Sequence, residues 1–182
     1  LPDELQRRFG QRGPRLDGAV LFGQRPGSAG RLAAGLPDLW DKPTYTYVTY
    51  AINPGNRRIV RYDPDGSAAT IVEDTTTNDL VVLPHGGYYT DPPNKKVWHV
   101  ADDGTRTQVD EGLAFPNGLI TSPDQTLLYV ADTRGGFVHS YQIQPDGTLA
   151  HRQPFFHLHV PDSAVESGAD GLTVDTEGRL YV

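Results

Sequence analysis

An all-β chain assembled from one repeated unit of short strands is the fold this sequence predicts. A hairpin pattern occurs three times, at Thr77–Asp91 (TNDLVVLPHGGYYTD), Phe115–Asp132 (FPNGLITSPDQTLLYVAD) and Ala169–Val182 (ADGLTVDTEGRLYV). An alternating strand running into Asp-Gly also recurs, as RIVRYDPDG (Arg58–Gly66), VWHVADDG (Val97–Gly104) and VHSYQIQPDG (Val138–Gly147). The Asp-Gly pairs begin at 65, 103 and 146, so they lie 38 and then 43 residues apart. A repeat of about 40 residues made only of short strands is the signature of a β-propeller blade of about four strands. Helical repeats of that length carry a 3.6-residue apolar period, and none is present.

Taken in order, residues 1–44 show no clear period. A short helix at Pro2–Phe9 and a strand at Ala19–Phe22 are the only elements they offer. From Tyr45 the repeat takes over, because Tyr, Thr and Val alternate through Ile52 and suit a pleated strand. After the NPGN turn, Ile59–Tyr62 and Thr70–Val72 complete a first blade at about 45–73. The second blade spans about 78–110, with strands at Leu80–Leu83, Tyr88–Thr90, Val97–Val100 and Thr107–Val109. The third spans about 117–156, with strands at Leu119–Thr121, Leu127–Ala131, Val138–Ile143 and His151–Phe156. Its first hairpin opens on an Asn117-Gly118 corner and reverses at Ser122-Pro123-Asp124, both strong turn formers. A polar connector at Val160–Gly168 leads to a further blade that begins at 170–182. At about 40 residues each these units number three to four. Closed propellers need roughly four to eight blades, so the expectation is that the complete protein is longer or that this chain associates.

Of the 182 residues, 37% are hydrophobic, enough to bury a core, while 20 Gly and 15 Pro supply the turns an all-β chain needs. A net charge of -7 argues against nucleic acid, which selects a basic face, and is compatible with a cation or a neutral small molecule. There is no Cys, hence no disulfide framework and no thiolate zinc site. No apolar run approaches the roughly 20 residues of a membrane-spanning helix. The compartment stays open.

Aligning the three hairpins puts Asn78, Asn117 and Asp170 in one column, just before the first strand of successive blades. In a propeller the first strands line a central channel, so the three side chains would gather at one mouth of it. Converging amide and carboxylate oxygens suit a hard divalent cation such as Ca²⁺, Mg²⁺ or Mn²⁺. The competing reading is that Asn and Asp before Gly are simply turn residues. Asp91 and Asp132, at the far ends of two hairpins, read as groups that close turns or strand ends. His157 and His159 form an H-x-H pair that a strand would present on one face, a spacing able to bind Zn²⁺ or to pack at a rim. Tyr88, Tyr89, Tyr129 and Tyr181 recur in the second hairpin strand and read as packing between blades.

PNGLITSPDQTLLYVADT (Pro116–Thr133), TNDLVV (Thr77–Val82) with YYTDPP (Tyr88–Pro93), and SGADGLTVDTEGRLYV (Ser167–Val182) resemble the gluconolactonase, regucalcin and luciferin-regenerating-enzyme family. The resemblance covers about Tyr45–Val182. It implies a six-bladed propeller, of which this chain holds a part, one divalent metal in the channel (Ca²⁺ first, with Zn²⁺, Mn²⁺ or Mg²⁺ compatible), and hydrolysis of lactones. It further implies that Asn117 and Asp170 are metal ligands, that Asp170 also serves as catalytic base, and that Asn78 contacts substrate or water. The family's remaining ligand, a Glu in an EGP-type motif, is not found. Glu4 lacks the Gly-Pro context, and Glu73, Glu111, Glu166 and Glu177 fall at other points of the repeat. The expected function is metal-dependent opening of a lactone or sugar-acid lactone by activated water. The alternatives are a non-catalytic propeller that binds a metal or a partner, and a phosphotriesterase-like or strictosidine-synthase-like propeller.

Overall fold

The computed structural model describes residues 20–26, 47–53, 57–63, 65–84 and 86–182. Within each sheet every strand pairs antiparallel with the next in the chain, giving three four-stranded sheets and the start of a fourth. The first sheet holds β1 (Val20–Pro26), β2 (Tyr47–Asn53), β3 (Arg58–Tyr62) and β4 (Ala68–Val72). The second holds β5 (Leu80–Val82), β6 (Gly87–Asp91), β7 (Lys96–Val100) and β8 (Arg106–Glu111), with a 3-10 turn at Pro92–Asn94. The third holds β9 (Pro116–Thr121), β10 (Leu127–Asp132), β11 (Phe137–Ile143) and β12 (Leu149–His157). A pair, β13 (Thr173–Val174) and β14 (Leu180–Tyr181), begins the next. Thus the Ala19–Phe22 strand exists, longer and shifted, and its register with β2 brings it into the first sheet. The helix expected at Pro2–Phe9 lies outside the described residues.

One turn explains the recurring Asp-Gly. At Asp65, Asp103 and Asp146 the carboxylate accepts the N–H two residues on, from Ser67 (2.8 Å), Thr105 (2.8 Å) and Thr148 (3.0 Å). The following Gly66, Gly104 and Gly147 sit at φ +86°, +84° and +81°, where a Cβ is strained. The side chain copies a backbone turn and the glycine supplies the left-handed residue, so the hairpin closes with fixed register. Asp124 does the same between β9 and β10, with Gln125 in the left-handed position.

These turns all join the first strand of a sheet to its second, or the third to its fourth. Antiparallel order therefore puts them at one end of the sheets. The opposite end carries the second-to-third connections and the links between sheets, 73–79, 112–115 and 158–172. The first strands stand side by side in chain order, β1 by β5, β5 by β9 and β9 by β13. Among the described residues the array is open.

The core lies between sheets. Adjacent residues of one strand point to opposite neighbours. Tyr89 packs with Ile59, Val72, Leu80 and Val100 towards the first sheet, whereas Tyr88 packs with Leu119, Leu128 and Val130 towards the third. Tyr129 and Ala131 face the fourth, against Leu158 and Ala169. Being buried on both faces, β10 reads LLYVAD without polar alternation. The tyrosine pattern is thus packing at Tyr88, Tyr89 and Tyr129. Tyr181 departs from it: it is 52% exposed, because no sheet of the described residues covers its face.

Hydroxyls pin the sheets laterally. Tyr88 donates to the Gly147 carbonyl (2.9 Å), and Tyr141 donates to Asp110 (2.9 Å), which also receives Arg152. His99 lies under Gly147, where a Cβ would come within 2.3 Å of its ring. Gly147→Ala is therefore expected to destabilise the protein by about 3 kcal/mol, from backbone strain plus the steric clash. Gly66→Ala, equally left-handed but with nothing within 4 Å, should lose only about 1 kcal/mol. Urea unfolding of the two variants measures the difference.

Candidate functional site

The Asn-Gly corner expected before the strand is in fact inside it. In β9, Leu119 pairs with Val130 and Pro116 with Asp132, so Asn117 and Gly118 together oppose Ala131 alone. This is a β-bulge, which turns the bulged side chain away from the regular alternation. The second sheet repeats it. Asn78 N–H donates to the Thr90 carbonyl (3.1 Å) and Thr90 N–H donates to the Asp79 carbonyl (3.0 Å), so two residues again face one. Gly118 is required by close approach: a Cβ there would lie 2.0 Å from the Asp170 carbonyl oxygen.

The bulges bring two of the three column residues into contact. Asn78 Nδ2 donates to Asn117 Oδ1 at 2.5 Å. Asn117 is buried, and its own Nδ2 donates to Thr133 Oγ1 (3.1 Å) and to the Ala169 carbonyl (3.2 Å). Thr133 Oγ1 donates to that same carbonyl at 2.5 Å. Thr90 Oγ1 donates to the Asn117 carbonyl at 2.7 Å. Second, third and fourth sheets are therefore joined at one end by a continuous polar chain. The Asp170 carbonyl lies beside this chain, against Gly118. Its carboxylate is exposed, and no hydrogen bond among the described residues joins it to either asparagine.

Asp79 is the residue the column did not reveal. It occupies the position that Gly118 and Gly171 hold in the other two hairpins, and that mismatch (NDL against NGL and DGL) was the available signal. Its carboxylate is buried and accepts Leu80 N–H and Leu119 N–H, both at 2.8 Å. It thus ties β5 to β9. Burial pushes its carboxyl up to about 6 against the pull of these two donors, and the Asp170 carboxylate adds to the rise.

Asp132, Asp91 and Glu166 have structural duties. Asp132 accepts Ala114 N–H (2.9 Å), Phe115 N–H (2.7 Å) and Gly135 N–H (3.0 Å), closing the loop ahead of β9. Asp91 accepts Thr76 Oγ1–H (2.5 Å) and the Asn94 amide. Glu166 pairs with Arg134. The H-x-H pair is split, because β12 ends at His157, whose ring meets the edge of Phe137 at 5.0 Å, and His159 lies beyond the strand. No group of three His, Cys, Asp or Glu side chains among the described residues could hold a metal. The donors at the joined end are instead two amide oxygens and one carboxylate. They are all hard ligands, and Asn117 Oδ1 keeps a second lone pair beyond the one Asn78 occupies. That chemistry fits a hard cation.

The profile of the SMP-30/Gluconolactonase/LRE-like region matches residues 68–182, more than half of the chain. The chain belongs to this family. A gluconolactonase of Zymomonas mobilis is 27% identical over 159 residues, covering 72% of this chain and 45% of that protein. Pentonolactonase XacC of Haloferax volcanii is 27% identical over 130 residues, covering 68% and 43%. Among solved structures, a gluconolactonase of Xanthomonas campestris superposes with a TM-score of 0.60 at 30% identity, over 73% of this chain and 51% of that one. The chain spans about half the length of the relatives it matches. The family match begins at Ala68, within β4, and so takes in all of the second, third and fourth sheets.

Removing the Asp79 carboxylate leaves two buried N–H groups without an acceptor. Asp79→Ala is expected to cost about 3 kcal/mol, and amide hydrogen exchange at Leu80 and Leu119 should accelerate with it. Unchanged exchange at Leu119 would mean that Asp79 does not link the two strands.

Proposed function

We propose that this chain carries the greater part of the active site of a metal-dependent lactonase acting on sugar-acid lactones, and that its sheets are blades of a six-bladed propeller. One observation carries the reading. Asn78 and Asn117 touch at the end where the first strands run side by side, and Asp170, whose carbonyl lies against Gly118, precedes the next first strand at that same end. The lactone substrate is supported by the gluconolactonase and pentonolactonase relatives.

In this reading Asn117 Oδ1 and the Asp170 carboxylate hold a divalent cation, Ca²⁺ first. The bound cation supplies Lewis-acid polarisation of the lactone carbonyl. The chain's own residues do the rest. Asn117 is kept in place by Thr133 and Ala169, so its oxygen needs no rearrangement to act. Asn78 offers its free amide oxygen to substrate or water, because its nitrogen is committed to Asn117. Asp170, exposed and without a protein hydrogen bond among the described residues, takes the proton of the attacking water as the new C–O bond forms. The proton then passes to the ring oxygen as the ring C–O bond breaks, leaving a hydroxy acid.

The test is pH-stat hydrolysis of a lactone panel that includes gluconolactone, with Ca²⁺, Mn²⁺ or Zn²⁺ and again with EDTA. Turnover should need the metal. Asp170→Asn should lower it by about 10²–10⁴-fold. Asn117→Ala should weaken cation binding at least about tenfold. A cation that raises Tm without any turnover would make the protein a binding module. Full turnover in EDTA would overturn the metal-dependent mechanism.

A further inference from the structure

Thr133 is buried where the third and fourth sheets meet, at the end that bears the candidate site. It closes the LYVADT stretch, one residue beyond Asp132, and packing alone would be served equally well by Val. Its polar atoms are all engaged. Its N–H donates to the Phe115 carbonyl (3.1 Å), and its carbonyl accepts both Ser167 N–H (3.2 Å) and Ser167 Oγ–H (2.9 Å). Its hydroxyl stands between the Ala169 carbonyl and the Asn117 amide.

The directions of these bonds are forced. A carbonyl only accepts, so the Thr133 O–H must donate to Ala169. The hydroxyl then has only lone pairs left for Asn117, so Asn117 must present its NH₂. One Nδ2 proton is shared between Thr133 Oγ1 and the Ala169 carbonyl, which stand side by side. Asn117 Oδ1 is thereby turned to Asn78, whose NH₂ must meet it. With the amide reversed, Oδ1 would face two oxygens, neither with a proton to give.

We propose that Thr133 is a positioning residue: its hydroxyl, together with the Ala169 carbonyl it binds, sets the direction of the Asn117 amide and, through it, which atoms of Asn117 and Asn78 face cation and substrate. The proposal rests on the lactonase reading for its catalytic meaning and on the hydrogen bonds alone for its structural claim. Val keeps the shape of Thr and loses the hydroxyl. Ser keeps the hydroxyl and loses a methyl.

Titration calorimetry with Ca²⁺ and Mn²⁺ on the wild-type protein, Thr133→Val and Thr133→Ser measures the effect on the cation. Thr133→Val is expected to weaken binding by about tenfold or more, and Thr133→Ser by no more than about twofold. In lactone hydrolysis the Val variant should lose kcat more than it raises KM, with recovery in Ser. Wild-type affinity in Thr133→Val would overturn the proposal. Should the wild-type protein bind neither cation, the metal-dependent reading falls by itself. The proposal is then decided by NMR on the metal-free protein. The Asn117 side-chain NH₂ signals, identified by their loss in Asn117→Asp, should exchange slowly in wild type and Thr133→Ser, and at least about tenfold faster in Thr133→Val. Equal exchange in wild type and Val would overturn it. If Thr133→Val does not fold, Thr133→Cys, whose thiol is a weak donor, takes its place in both measurements and should fall between wild type and full loss.

Discussion

The close approach of neighbouring first strands is the constraint on which the rest of this structure depends. Backbone meets backbone where Gly118 lies against the Asp170 carbonyl, and a side chain bridges the strands where Leu119 N–H donates to the Asp79 carboxylate. At Gly118 the approach leaves no room for a side chain, and between β5 and β9 the gap is filled by the Asp79 carboxylate. The residues just ahead, Asn78, Asn117 and Asp170, are thus carried to one end together. The shared end of these three residues is a product of strand spacing. Asp170 shares it without a hydrogen bond between its carboxylate and either asparagine.

Polar burial follows the same geometry. Thr75, Thr77, Asp79, Thr90, Asp91, Asn117, Asp132 and Thr133 are all buried, and all belong to the end with the links between sheets or to the bulges beside it. Away from that end the interior is mainly Leu, Val, Ile and Tyr, with His99, Thr121, Ser122 and Ser140 as buried polar residues among them. Burying hydroxyls and carboxylates is costly unless each is bonded, and here Asp79, Asp132 and Thr133 each bond at least two partners. The apolar layers hold the sheets together, and the polar end fixes their rotation relative to one another through directional bonds.

The parts of this arrangement written in local sequence could be read from it. Asp146 and Gly147 make a turn through atoms two residues apart, so the hairpins and the 40-residue repeat were visible at once. Asn78 and Asn117 were visible as a column because a repeat aligns equivalent positions. Asp79 and Thr133 were not, because their partners, Leu119 and Ala169, lie 40 and 36 residues away. No local pattern records such a bond. The bulge at Asn117 resembled a corner, since Asn-Gly serves both conformations. His157 and His159 were placed on one strand face by spacing alone, and the end of β12 separates them. The lateral position of Val20–Pro26 depended on pairing with β2, a contact that its own composition does not announce.

The two ends of the sheets also answer to different rules of change. At one end the turn around Asp65, Asp103 and Asp146 has a single length and chemistry, because an added residue would slip a register and turn a strand inside out. At the other, the link between the second and third sheets occupies 112–115, while that between the third and fourth occupies 158–172. Lengthening such a link nearly fourfold costs on the order of 1 kcal/mol of closure entropy, and it disturbs no ladder. Insertions can therefore accumulate around the oxygen-bearing end while the hairpins stay constant, so that one scaffold can come to admit molecules of different size and shape without having to be refolded for each.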